Sequence, residues 1–234
     1  MKLALVTTPP SARSAVGEYT RKLAGELSKL CEVDYFVERG REGESFESRV
    51  TRSADTLLPR EFDQVLYQVG NEREHAFMLP MLRALGGTVA LHDWVLFDLA
   101  LAAYPELARG GLRGFARAVR EGGLGQARTY FAQRGDRSKL AEKRSELPLN
   151  RSVVRFGDSF IVHDERVRHA ILEERNAPTP TGIVPRPAEE PWSVIAAKYV
   201  ELLSAFPPPR TARKSLIGHR IAEGLRDRRA RPSG

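Results

Sequence analysis

A single doubly wound parallel α/β domain is the fold class predicted by this 234-residue sequence. Three observations point to it. Apolar runs of strand length recur over residues 1–186. Segments with apolar residues three and four apart separate them, the spacing of amphipathic helices. Several runs also end in a polar or glycine step, as parallel strands do where they hand over to loops.

The elements follow in order. Residues 2–8 form a short apolar run stopped by Pro9-Pro10, the pattern of a buried parallel strand. After a loop over 11–16, residues 17–30 place Tyr19, Leu23, Leu27 and Leu30 on one helical face. A second strand covers 33–37. Residues 40–61 are polar and predict loop with at most one weak strand. A third strand spans 65–69 and meets Gly70-Asn71. The helix expected from about His75 to Leu85 stops at Gly86-Gly87, a normal terminator. Residues 88–91 are a strand that delivers His92-Asp93.

Residues 94–157 are arginine-rich and mostly helical, with breaks expected at Gly110-Gly111, Gly122-Gly123 and Pro148. A strand at 160–162, a helix at 165–176 and a last strand at 182–184 complete the alternation. Pro191 then opens a helix over 192–206 with Trp192, Ile195, Ala196, Tyr199, Leu202 and Leu203 on one face. Pro207-Pro208-Pro209 ends it, and a basic helix over about 211–229 is expected beyond.

A hydrophobic content of 41% indicates a globular chain. Cys31 is the only cysteine, which excludes an internal disulfide and fits a reducing, cytoplasmic setting. The apolar run at 3–6 is too short for the core of a signal peptide, and no stretch approaches the roughly 20 apolar residues of a membrane span. The net charge of +7 is uneven: the segment after Phe206 has eight basic residues opposed by Glu223 and Asp227, leaving +1 for residues 1–206. The high charge therefore describes a tail suited to weak contact with an anionic membrane surface. It does not describe a nucleic-acid-binding body, and no metal-ligand spacing occurs.

Several segments resemble family-4 glycosyltransferases, retaining enzymes of the GT-B fold. They are the strand–loop–helix of residues 3–27 with Val16-Gly17-Glu18-Tyr19, then Gln68-Val69-Gly70-Asn71 with His75 and Phe77, then Leu91-His92-Asp93. Asn150-Arg151-Ser152, Phe160-Ile161-Val162-His163 and Ile183-Val184-Pro185 follow in the family's order. The resemblance implies a Rossmann-like N-terminal, acceptor-side domain over 1–186, half of a GT-B fold. In the family, the last of these strands leads into a second, nucleotide-sugar-binding domain. Here only residues 186–190 intervene before a helix similar to the family's C-terminal crossover helix. The implied organisation is an acceptor-side domain, a docked helix within 187–209, and a basic tail over 210–234.

The same resemblance names the site. His92 corresponds to a cleft-facing histidine near the donor sugar, often essential, and is the catalytic candidate. A local alternative makes Asp93 the N-cap of a helix starting at Trp94. Gln68, Asn71, His75 and Asp93 are the substrate-binding candidates, amides at strand ends being suited to sugar hydroxyls, although Gly-Asn is also a turn signal. Gly17 sits where the family brings a glycine loop to the donor diphosphate at a helix N-terminus. Ser14-Ala15-Val16 replaces most of that glycine run, and a turn needing a small residue explains Gly17 equally well. His163-Asp164 occupies a fourth strand end, with Asp164 read as an N-cap. Glu165 and Glu173 have the spacing of the family's donor-side glutamate pair but lie on a helix of the first domain, as ordinary surface carboxylates do. The arginine-rich helices between Glu106 and Arg144 read as a helical cover of the sheet.

The function read from this set is a truncated half of a sugar transferase without full activity alone, with no cofactor or metal implied beyond a nucleotide-sugar donor. A self-sufficient enzyme, or one completed by a separate nucleotide-binding chain, is the first alternative. A non-catalytic binding module is the second. The cleft face left by the missing domain is expected to support a homodimer.

Overall fold

The computed structural model of the chain describes residues 1–209. The basic segment 210–234, with the helix expected over 211–229, lies outside the described residues. Strands β1 (Lys2–Val6), β2 (Glu32–Val37), β3 (Ser45–Phe46), β4 (Arg49–Val50), β5 (Arg52–Ser53), β6 (Gln64–Val69), β7 (Thr88–Leu91), β8 (Ser159–Val162) and β9 (Thr181–Ile183) are present. β3 and β4 form a small antiparallel pair. The other seven make one parallel sheet in the order β5-β2-β1-β6-β7-β8-β9. The chain winds outward from β1 in one direction, then returns to β6 and winds the other way. This is the doubly wound arrangement, with its switch point between β1 and β6. The polar 40–61 segment thus contributes one short edge strand to the main sheet, β5, and the separate β3–β4 pair.

All residues of β6, β7 and β8 are buried, as strands covered on both faces must be. One face carries Ala4, Val6, Tyr67, Val69, Val89 and Phe160 under helices α2 (Met78–Leu85), α3 (Phe97–Ala103), α7 (Arg151–Phe156) and α8 (Glu165–Arg175). α2 ends where expected: Gly86 and Gly87 take φ of +67° and +122°, the left-handed region that glycine enters without strain. Three further helices, α4 (Pro105–Arg109), α5 (Gly111–Gln133) and α6 (Arg137–Lys143), build a satellite core around Leu107, Ala127, Tyr130 and Leu147. α5 breaks at Gly123. Its buried Glu121 is satisfied by the Ser152 backbone N–H at 3.1 Å, the Ser152 hydroxyl at 2.8 Å and Arg117 at 3.3 Å, which ties the kinked helix to α7. Among the described residues no helix is long and apolar enough to cross a membrane.

The opposite face presents Leu3, Leu5, Leu66, Ala90 and Ile161, and is covered by α1 (Ala15–Leu30) and α9 (Trp192–Ala205). Within α9, Ile195, Ala196, Tyr199 and Leu203 are fully buried, whereas Trp192 and Leu202 are partly buried. The Gln64 amide donates to the Phe206 and Pro207 carbonyls, at 3.1 and 3.3 Å, and so fastens the end of α9 to the start of β6. Tyr199 is the largest side chain that α9 buries. Tyr199→Ala should therefore lower stability by about 3–5 kcal/mol in chemical denaturation, more than truncation of the partly exposed Trp192.

Candidate functional site

The candidate residues gather at the carboxyl ends of β1, β6, β7 and β8, around the switch point where open α/β sheets bind ligands. Alternation along the strands sets which of them share a face. Gln68 follows Leu66 on the α1/α9 face. His92 follows Ala90, and His163 follows Ile161, on that same face. Continuing the β7–β8 register by two residues sets His92 level with His163. His92 is the diagonal neighbour of Gln68, whose direct partner is Ala90.

The three polar side chains form a hydrogen-bonded chain. Gln68 Oε1 lies 2.6 Å from His92 Nε2, His92 Nδ1 lies 3.3 Å from His163 Nε2, and His163 Nδ1 lies 3.1 Å from the Val184 carbonyl. That carbonyl only accepts, so it takes a proton from His163 Nδ1. Gln68 Oε1 likewise only accepts, so it takes a proton from His92 Nε2. The contact between His92 Nδ1 and His163 Nε2 is then a hydrogen bond when one of those two nitrogens carries a further proton. Burial, then the proximity of His163 and His75, holds His92 well below the ordinary histidine range. Burial also lowers His163, reinforced by Arg186.

Aromatic rings close over the pair. Tyr19, one turn into α1, meets His92 edge-on at 4.5 Å between centroids, His163 at 5.4 Å and Trp192 at 4.9 Å. Its hydroxyl is 3.4 Å from that of Tyr199, and burial pushes its pKa up to about 12. Sequence reasoning passed over Tyr19 and Tyr199 as core residues of amphipathic helices and gave His163 to a helix start. The only signal for the last was its place at a strand end.

The other candidates serve the loops. Asn71 Oδ1 accepts from the N–H groups of Asp98 (2.7 Å) and Leu99 (3.4 Å), so it caps the start of α3 from a distant loop. Asp93 is exposed and accepts from the Asn71 N–H at 2.9 Å. The helix after His92 therefore begins at Phe97 and not at Trp94, and Asp93 is not its N-cap. His75 is fully buried with Nδ1 3.1 Å from the Gly70 nitrogen, which pins the 70–75 turn. Gly70 itself is packed tightly: a Cβ there would meet Val16 at 2.6 Å and Asp93 at 3.0 Å. Gly17 is buried, and its N–H is taken by the Ser14 hydroxyl, the N-cap of α1, at 2.9 Å. A Cβ on Gly17 would press on Ser14 and on the Ala12 carbonyl. Asp164 caps α8 through the Val167 N–H at 2.9 Å, and Glu165 and Glu173 are exposed on that helix. Among the described residues no cluster of three or more His, Cys, Asp or Glu is placed to hold a metal ion.

No protein-family model matches the sequence, and no curated protein matches it. Among solved structures, a sucrose-phosphate synthase from Thermosynechococcus elongatus is similar at a TM-score of 0.42 and 11% identity, covering 88% of this chain and 98% of that chain.

The cap assigns Asn71 a measurable structural role. Asn71→Ala should cost about 1 kcal/mol in denaturant midpoint stability, the usual value of a lost helix cap. Asn71→Asp, which keeps the acceptor oxygen, should retain most of it.

Proposed function

We propose that the chain is a glycosyltransferase-like module, the acceptor-side half of a GT-B sugar transferase, that does not complete turnover alone. The motif order over residues 3–186 and the helix at 192–205 support the family reading. The observation that carries the reading on activity is the state of His92. Both of its ring nitrogens are engaged inside the protein, by Gln68 and His163, and Tyr19 lies against the ring. An imidazole so held has no free nitrogen to bring to a sugar, and its depressed pKa keeps it from acting as a cation near a departing diphosphate.

The glycine turn gives the same indication. Its Gly17 N–H is spent on Ser14, so a nucleotide placed there would find few amide donors. Binding through this turn alone is expected at about millimolar affinity, since a few contacts must offset the cost of immobilising the ligand. Retaining transfer also needs acceptor, anomeric carbon and leaving group held together, and that orientation supplies many kcal/mol of the barrier.

The test is incubation of the pure full-length chain with radiolabelled nucleotide sugars and candidate acceptors, beside His92→Ala. No transfer above background in either protein is expected. Robust transfer by the wild type that is lost in the histidine variant would overturn the proposal and make the chain a compact, self-sufficient enzyme.

A further inference from the structure

The carboxyl end of α9 is fixed at the amino edge of the sheet, where the Gln64 amide holds the Phe206 and Pro207 carbonyls. Gln64 pairs with Leu3, and Leu3 with Val33, so the three form one row across β6, β1 and β2. At about 4.8 Å per strand, Val33 is only about 10 Å from Gln64. Val33 lines an open groove of about 560 Å³ between the end of α1 and the β3–β4 pair. We infer that this groove is the docking site of the chain's own basic segment, with Ile217, Ile221 and Leu225 set into it.

The groove offers apolar surface and an unmatched charge. Leu30, Cys31, Val33 and Phe46 form its apolar part, and Tyr35 backs Phe46, stacked on it at 4.7 Å. Leu30 is 49% exposed at the end of α1, and Met1 is 37% exposed. The Met1 carbonyl accepts from the Glu32 N–H at 3.1 Å, and its sulfur lies 3.9 Å from the Ser204 hydroxyl. Met1 and Leu30 thus lie along the path from α9 to the groove, where exposed apolar surface gains from a cover. The basic groups of the rim already have acidic partners. Lys29 meets Glu26 at 2.7 Å, and Arg49 meets Asp34 at 3.3 Å and Glu32 at 3.6 Å. Among the described residues no ion pair or hydrogen bond engages the Glu47 carboxylate. Glu47 reaches over Gly25, with Oε1 3.1 Å from the position a Cβ would take there. Its backbone holds a φ of +50°, the left-handed region that a non-glycine residue seldom enters. A strained turn that presents a carboxylate at the mouth of a groove favours a cationic occupant.

Segment 210–234 lies outside the described residues, and its sequence supplies the complement. Ile217, Ile221 and Leu225 recur four apart, the face of a helical stretch about 12 Å long. Lys214 and Arg228, three residues before and after, continue that face with a basic group at each end. Gly218 and Gly224 lower its intrinsic helix propensity, so a helix this short needs a surface to hold it. The residues from Arg210 to Leu216 reach up to about 23 Å when extended, enough to pass the end of α1. So short a tether keeps the segment at high effective concentration beside the groove, which favours docking within one chain over docking on a second copy.

The experiment needs no sugar and is independent of the proposed function. Cys31 is the only cysteine of the chain and lines the groove, so its alkylation reports occupancy without an added label. Burial pushes its thiol up, and access to it then sets the rate. The full chain is treated with iodoacetamide at mildly alkaline pH, and modification of Cys31 is followed by mass spectrometry. Ile221→Asp with Leu225→Asp should raise the rate about tenfold over wild type, as for removal of a local cover. Lys214→Glu with Arg228→Glu should also raise it, although a negative charge left near the thiol would slow it. Arg231→Glu, beyond the stripe, should leave it unchanged. On mild oxidation, Ile221→Cys should form a disulfide with Cys31 within one chain, at a rate independent of protein concentration. Equal rates in wild type and the double Asp variant, as for a segment reserved for a membrane surface, would overturn the docking. So would an effect of Arg231→Glu as large as that of the Lys214 and Arg228 pair, or a disulfide that forms only between chains, as for a second copy.

Discussion

A parallel sheet with two apolar faces must be covered on both, and in this chain one cover is assembled from distant parts of the sequence. Leu3, Leu5, Leu66, Ala90 and Ile161 point to the side where, among the described residues, α1 and α9 lie. α1 follows β1 directly. α9 arrives after every strand has formed, yet places Ile195, Ala196, Tyr199 and Leu203 out of solvent. At about 25 cal/mol per Å² of apolar surface, leaving that strip of sheet uncovered would forfeit a large share of a stability that is marginal in any domain. The geometry of the polar strand ends depends on this closure, because Tyr19 and Trp192 meet above the histidines only when both helices are seated.

Much of the fold was legible because its signals are local. Strand runs bounded by proline or glycine, helical spacing at Leu23 and Leu27, and the Gly86-Gly87 stop each read from a few neighbouring residues, and the alternation fixed a parallel sheet. The errors fell where a distant partner decides. The local alternative started the helix after His92 at its nearest acidic residue, but the free N–H groups of that helix are capped by Asn71, which precedes it by more than 20 positions. The 40–61 segment has no periodicity, and its strand β5 exists because β2 offers an edge.

The site was legible in location and much less so in arrangement. Strand ends marked Gln68, His92 and His163, but sequence does not say which ring nitrogen faces which neighbour. Nor does it say that Tyr19 sits on two histidines more than seventy residues away. Asn71, His75 and Gly17 illustrate a general ambiguity: residues suited to bind a ligand at a strand end are the same small, polar residues that turns and helix starts require. Here each of the three has an internal partner that accounts for it.

The polar chain interrupts the apolar character of this face, with Gln68 fully buried and both histidines partly so. An apolar side chain at Gln68 or His163 would extend the hydrophobic strip and remove the need for a particular tautomer and amide orientation, since a buried polar group adds stability only when every donor finds an acceptor. Gln68 and the histidines instead lie at the carboxyl edge of the sheet, where Tyr19 meets His92, His163 and Trp192 edge-on. Stability alone gives no reason for polar groups at these positions.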